Sequence, residues 1–224
     1  MSNIANNITN LKQTLPGEVT LVAVSKTKPI SDLQDAYLAG QRIFGENKIQ
    51  EMTDKHTALP KDIEWHMIGH VQTNKVKYMA PYVHLIHAVD SFKLLNEINK
   101  QALKHQRTIN CLLQLKIAKE ESKFGLSAEA LQELIFSSKI GELHNIKITG
   151  LMGMASFSSN KEQVSNEFQF LKTTFDTLKT TAKSHNCDLQ ILSMAMSGDY
   201  PIAIECGSTM VRVGSAIFGN RNYN

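Results

Sequence analysis

The chain has 224 residues, of which 42% are hydrophobic and 20% charged, and its formal net charge is +3. This length and balance fit one large globular domain, residues 1–224, and exclude an intrinsically disordered chain. Lys and Arg are scattered among Asp and Glu instead of clustered, so no nucleic-acid partner is expected.

Ile4, Ile8, Leu11 and Leu15 recur at helical spacing and stop before Pro16 and Gly17, which predicts an N-terminal helix within residues 1–16 on the outside of the core. Val19, Leu21, Val22, Ala23 and Val24 form a short, β-branched apolar run, the pattern of a strand buried on both faces of a parallel sheet. Ser25 and Lys26 mark its carboxyl end. A helix capped by Ser31 runs to Gly40, a strand covers 41–44, and a helix runs from about Glu46 to Pro60. Next come a strand at 64–70 with a short helix at 72–79, and a strand at 83–89 with a helix capped by Ser91. A strand at 108–117 leads through KEESKFG to a helix capped near Ser127. A strand at 146–152 precedes the longest helix, for which Ser159 and Glu162 predict a capping box. Strand 189–194, a short helix after Ser197, the strand MVRVG and a final GSAIFG follow.

Eight strands, each followed by a helix or helical turn, imply parallel pairing and right-handed crossovers. The expected fold is a single α/β domain, a (β/α)8 TIM-type barrel, with an open doubly wound sheet as the alternative. Cys111, Cys187 and Cys206 are odd in number, far apart and without CxxC spacing, which predicts free thiols in a reducing, cytoplasmic compartment. The first residues carry no basic leader and no run of about 18 apolar residues occurs, so neither secretion nor a membrane span is expected.

In such barrels ligands collect at the carboxyl ends of the strands, which makes Lys26 a candidate for chemistry. The loops after strands seven and eight often build a phosphate site. Here MSGD, residues 196–199, offers Ser197 and a helix start, and VRVGSAIFG offers Gly214 for close backbone approach, Ser215 as donor and Arg212 as fixed charge. An amine facing a phosphate site across a barrel mouth suits an aldehyde-bearing phosphate cofactor. A sugar-phosphate isomerase on the same fold would need a carboxylate base at a strand end, and Asp90 is the obvious candidate.

The motifs VAVSKTKP, FGENKIQE, WHMIGHVQTNK, SKFG, GLMGMAS, LSMAMSGD and GSTMVRVGSAIFG, in this order from about residue 22 to 219, resemble the pyridoxal phosphate homeostasis protein family. That family is similar in turn to the barrel domain of alanine racemase, a fold-type III protein of pyridoxal 5'-phosphate (PLP), here without the C-terminal β domain. The resemblance implies PLP as cofactor, Lys26 as the residue holding it in a Schiff base, Asn47 facing it, and Ser197, Arg212, Gly214 and Ser215 in the phosphate-side motifs. It implies a carrier or buffer in vitamin B6 homeostasis without established turnover, with a low-activity amino-acid racemase as the alternative. Apo PLP-dependent enzymes are then transient partners, and a monomer is expected because no dimerising domain follows the eighth strand. The chain departs from the family at Lys48, where Tyr is more usual, at Ala195, where Gly is commoner, and in GLMGMAS, which lacks a proline.

His66 and His70 lie on a strand interrupted by Gly69, and His84 and His87 are expected on opposite faces of the next, so no metal site is expected. Lys123, at another strand's carboxyl end, is a candidate transient second amine for handing PLP on.

Overall fold

A computed structural model describes residues 2–119, 124–182 and 184–219. Lys123, the candidate second amine, lies outside the described residues. In chain order the elements are α1 (Asn3–Thr14), β1 (Thr20–Val24), α2 (Ile30–Leu38), β2 (Ile43–Glu46), α3 (Ile49–Ala58), β3 (Glu64–Met67), α4 (Val76–Met79), β4 (Leu85–Val89) and α5 (Phe92–Lys104). They continue with β5 (Ile109–Gln114), α6 (Ala128–Ile135), β6 (Ile146–Met152), α7 (Lys161–Thr181), β7 (Cys187–Met194), α8 (Tyr200–Glu205), β8 (Met210–Val213) and α9 (Ser215–Phe218). The strands pair in sequence order, all parallel, and β8 returns to β1 with Thr20 opposite Met210 and Ala23 opposite Val213. The expected eight-stranded barrel is the architecture observed, and the open sheet is excluded by that closure.

Side-chain alternation divides the core in two. The outward strand residues, with Phe44 and Trp65 among the largest, pack under the helices in one cluster with inward helix residues such as Phe168 of α7. A smaller set, Val22, Leu85, Ala88, Leu112, Met152 and Met210, fills the barrel interior. Polar groups share that interior. His66 Nδ1 lies 3.0 Å from His87 Nε2, and His87 Nδ1 lies 3.1 Å from Ser193 Oγ. Arg212 Nη1 donates to Ser193 Oγ at 2.6 Å, and Nη2 to the Gly153 carbonyl at 3.1 Å.

Element ends differ from the expectations where side chains intervene. Strand β2 starts later than 41 because Gln41 closes α2, its amide N–H donating to Ala36 O while its side chain caps Leu21 O and Ile43 O. It then continues to Glu46 to pair with β3, which delays α3 to Ile49. Helix α2 starts at Ile30 with Pro29 in the cap position, so Ser31 falls within the first turn. Asn160, not Ser159, caps α7, its side chain accepting from Gln163 N, which moves Glu162 out of capping-box register. Ser91 and Ser127 cap α5 and α6 as expected.

Gly150 marks the tightest strand contact. A β-carbon there would lie 1.8 Å from the Ile191 carbonyl oxygen of β7, a backbone atom that cannot yield. Gly150→Ala is expected to cost about 3 kcal/mol or more in urea unfolding, whereas Gly17→Ala, where a β-carbon meets nothing within 4 Å, should stay within about 0.5 kcal/mol.

Candidate functional site

Strand β1 ends at Val24, and the next three residues are held by a buried charge network. Ser25 N donates to Gly45 O, and Ser25 Oγ to Glu46 Oε1 at 2.6 Å. Lys55, on α3, donates its Nζ to Ser25 O, Glu46 Oε1 and Glu51 Oε1, each at 2.7 Å. Thr27 N donates to Glu51 Oε1 at 2.6 Å, with Thr27 at φ 64. A β-branched residue in the left-handed region is strained and persists only where its surroundings over-determine it. Lys26, half-buried, sits between these two pinned neighbours, so its backbone is fixed on both sides.

Burial raises the pKa of the Glu46 carboxyl, and the Lys55 charge and the Lys55 and Ser25 hydrogen bonds offset part of that rise. Its Oε2 is buried with no hydrogen-bond partner, which shows why ionisation is opposed.

Across the mouth, the loops after β7 and β8 are joined. Gly214 N donates to Ser197 Oγ at 3.0 Å. A β-carbon on Gly214 would meet Val24 O at 3.1 Å, so glycine lets this loop settle on the end of β1. Gly214 takes the cap position of α9 without a side-chain cap, and Ser215 begins the helix. Ala195 has φ 71, a conformation natural to glycine, so a strained backbone is held at this turn. The Met196–Asp199 turn is closed by Met196 N donating to Asp199 Oδ1 at 2.6 Å, which places the start of α8 at Tyr200.

Lys26, Asn47, Ser197, Arg212, Gly214 and Ser215 all line one cavity of about 550 Å³ at the carboxyl ends of the strands, a size suited to a small molecule. Asn47 is positioned by close approach of Gly69, whose β-carbon would lie 2.5 Å from Asn47 O. Arg212 is buried on the floor, and burial draws its pKa down to about 10, against the pull of Asp199, so it remains a cation at neutral pH. Both its Nη atoms bond to the barrel, which makes it a fixed charge under the cavity. Lys48 is exposed and takes the cap position of α3. Asp90, the carboxylate of the isomerase alternative, bonds to His70 at 3.3 Å in a neighbouring groove. Glu46, Glu51 and Lys55 were not singled out by sequence, where they read as helix and loop charges.

One rim of the cavity carries Met154 and Phe157, and the loop holding them is clamped by Glu167 of α7. Ser156 N donates to Glu167 Oε2 at 2.6 Å and Ser156 Oγ to Oε1 at 2.8 Å, while Lys119 N donates to Ser156 Oγ at 3.3 Å.

A sequence profile of the alanine racemase N-terminal domain matches residues 1–222. The pyridoxal phosphate homeostasis protein of Aquifex aeolicus is 41% identical over 204 residues, 91% of this chain and 87% of that protein. Its counterpart in Escherichia coli K12 is 35% identical over 100% of this chain and 99% of that protein. The chain belongs to the pyridoxal phosphate homeostasis protein family. PipY of Synechococcus elongatus PCC7942, solved with PLP bound and without PLP, is 34% identical, and the form without PLP superposes with a TM-score of 0.89 over 96% of this chain and all of that one. Alanine racemase of Clostridium difficile 630, 14% identical, shares the fold with a TM-score of 0.78 over 97% of this chain and 56% of that one.

The Glu167 clamp makes a pH-dependent prediction. Burial raises its pKa, but the bonds from the Ser156 amide, Gln163 and the Ser156 hydroxyl outweigh that and leave it below the ordinary 4.5. A carboxyl depressed by folding stabilises the protein above its unfolded value and loses that contribution as pH falls through the folded one. Between pH 4.5 and the folded value, wild type should lose stability more steeply than Glu167→Gln, as read by urea midpoints at successive pH values.

Proposed function

We propose that this chain is a one-domain PLP carrier and buffer in cytoplasmic vitamin B6 homeostasis, holding PLP as a Schiff base on Lys26. The observation that carries this reading is the shared cavity: the amine at the end of β1 faces the joined loops after β7 and β8. The residues fit the group. Ser197, Ser215 and the backbone donors around Gly214 take the phosphate, Arg212 supplies positive charge from the floor, and Asn47 flanks the ring. When bound, PLP offers an aldehyde that condenses with the Lys26 amine and releases one water. The pinned Ser25 and Thr27 fix the Lys26 backbone, so binding needs little ordering at the end of β1.

Several observations favour a carrier over a racemase. Two-base proton transfer needs a second acid or base opposite the lysine; besides Lys26 and Arg212, the ionisable side chains among the described residues that line the cavity are Lys28, which donates to Phe218 O, and His70, which is paired with Asp90. Phe124, Phe157 and Met196 line the mouth and are 56%, 96% and 38% exposed. An apolar rim of this kind suits transient docking of apo PLP-dependent enzymes. The closed barrel leaves no strand edge for pairing, which supports a monomer. The three free cysteines support a reducing compartment. Among the described residues no helix is long and apolar enough to cross a membrane.

Adding PLP to purified protein and removing the excess should leave a visible Schiff-base absorbance band in wild type and none in Lys26→Ala; a band of equal strength in both would overturn the assignment. Ser197→Ala and Ser215→Ala should each weaken PLP about tenfold while leaving pyridoxal, which lacks the phosphate, nearly unchanged. Conversion of L-alanine to D-alanine by the PLP-loaded protein would favour the racemase reading.

A further inference from the structure

We propose that Glu64, His66 and His84 form a binding site for a divalent transition-metal ion of the zinc class at the amino end of the barrel, remote from the Lys26 cavity. Glu64 and His66 are two apart on β3 and share a face. His84 precedes β4, so strand alternation does not govern its direction, and His84 N donates to Trp65 O at 2.8 Å, which brings it beside β3. One ligand atom from each of the three residues lies within 4.8 Å of the other two, and His84 Nε2 is 3.6 Å from Glu64 Oε2.

A second observation is independent of that clustering. His66 is buried, and its Nε2 has no hydrogen-bond partner. An unpartnered buried ring nitrogen destabilises the fold, and a metal–nitrogen bond removes that cost. The other nitrogen is already oriented as ligating histidines require. With Nδ1–H of His66 donating to His87 Nε2, and Nδ1–H of His87 donating to Ser193 Oγ, the lone pair of His66 sits on Nε2. The Ser193 oxygen has two lone pairs and accepts from Arg212 as well. Two imidazoles and a carboxylate, with water as fourth ligand, suit zinc over calcium or magnesium. The side chains of His84 and Glu64 are 47% and 45% exposed, which gives the ion an entry path and lets both close onto the fixed His66. The bound ion would tie the start of β3 to the approach to β4, a seam paired at His66–Leu85 and Met67–Ile86.

The test is zinc titration of the chelator-treated full chain, followed by calorimetry, with cobalt as a visible-absorbance probe. Controls are set by a second imidazole pair, His144 Nδ1 and His185 Nε2, 3.3 Å apart on the surface. One equivalent of zinc is expected, weakened at least about tenfold in His84→Ala and in Glu64→Gln and unchanged in His144→Ala. The cobalt bands of a four-coordinate site should vanish in the first two variants. Circular dichroism checks that each variant folds. Absence of zinc binding to wild type, or binding lost in His144→Ala and kept in His84→Ala, overturns the proposal.

Discussion

The ammonium group of Lys55 is the constraint around which the mouth is built. It is buried under the end of β1 and satisfied by one carbonyl and two carboxylates, those of Ser25, Glu46 and Glu51. A buried ion pair is weak evidence for stability, because desolvating both charges offsets most of their attraction. Its effect here is positional. Glu46 belongs to β2, Lys55 and Glu51 to α3, and Ser25 to the chain just past β1, so β1, β2 and α3 converge on the residue before Lys26. Glu51 also takes the Thr27 amide, and the strained left-handed turn after Lys26 survives because of it.

The far side of the mouth is fixed by the same strand. Closure of the barrel sets β8 beside β1, and Gly214 lies against Val24 just beyond the last paired residues. Ser197 then ties the β7 loop to Gly214. Lys28, two residues after Lys26, donates to Phe218 O at 2.8 Å and fastens α9 to the β1 loop. Lys26 and the loops after β7 and β8 are thus positioned by backbone pairing, by local bonds and by the Lys55 and Glu51 charges of α3.

Much of this was legible in the sequence. The apolar run from Val19 to Val24 and the β/α alternation specify a parallel α/β fold through periodicity, barrel or open sheet, and either one assigns meaning to a lysine or Gly-Ser pair at a strand's carboxyl end. The positioning groups were not legible, because their signal is tertiary. Lys55 and Glu51 are four apart on a helix, a spacing that describes a solvated surface pair equally well. Burial of that pair follows from where α3 lands on β2, which no local pattern encodes. His66 and His87 were hidden for a related reason: inward histidines on adjacent strands meet only when register is known. The shift of the α7 cap from Ser159 to Asn160 is smaller in kind, since both residues are competent caps and the loop geometry chooses.

The barrel interior explains how a buried arginine is tolerated on the floor of the cavity. Arg212 needs acceptors, and it finds the Ser193 hydroxyl and carbonyl and the Gly153 carbonyl. His87 extends this line to His66. Burial drives the His87 pKa well below the ordinary value, and the charges of His66 and Arg212 add to that. His66 is held down to about 3, chiefly by burial. Both rings are therefore neutral near pH 7, and a proton on either would set a second cation in the barrel of Arg212. The positive charge beneath the cavity consequently stays single and fixed over the physiological pH range, and the row of neutral imidazoles supplies hydrogen bonds to the interior without competing with it. A polar line through an otherwise apolar barrel is stable here because burial keeps both imidazoles neutral while the one permanent charge, Arg212, finds its acceptors within the barrel.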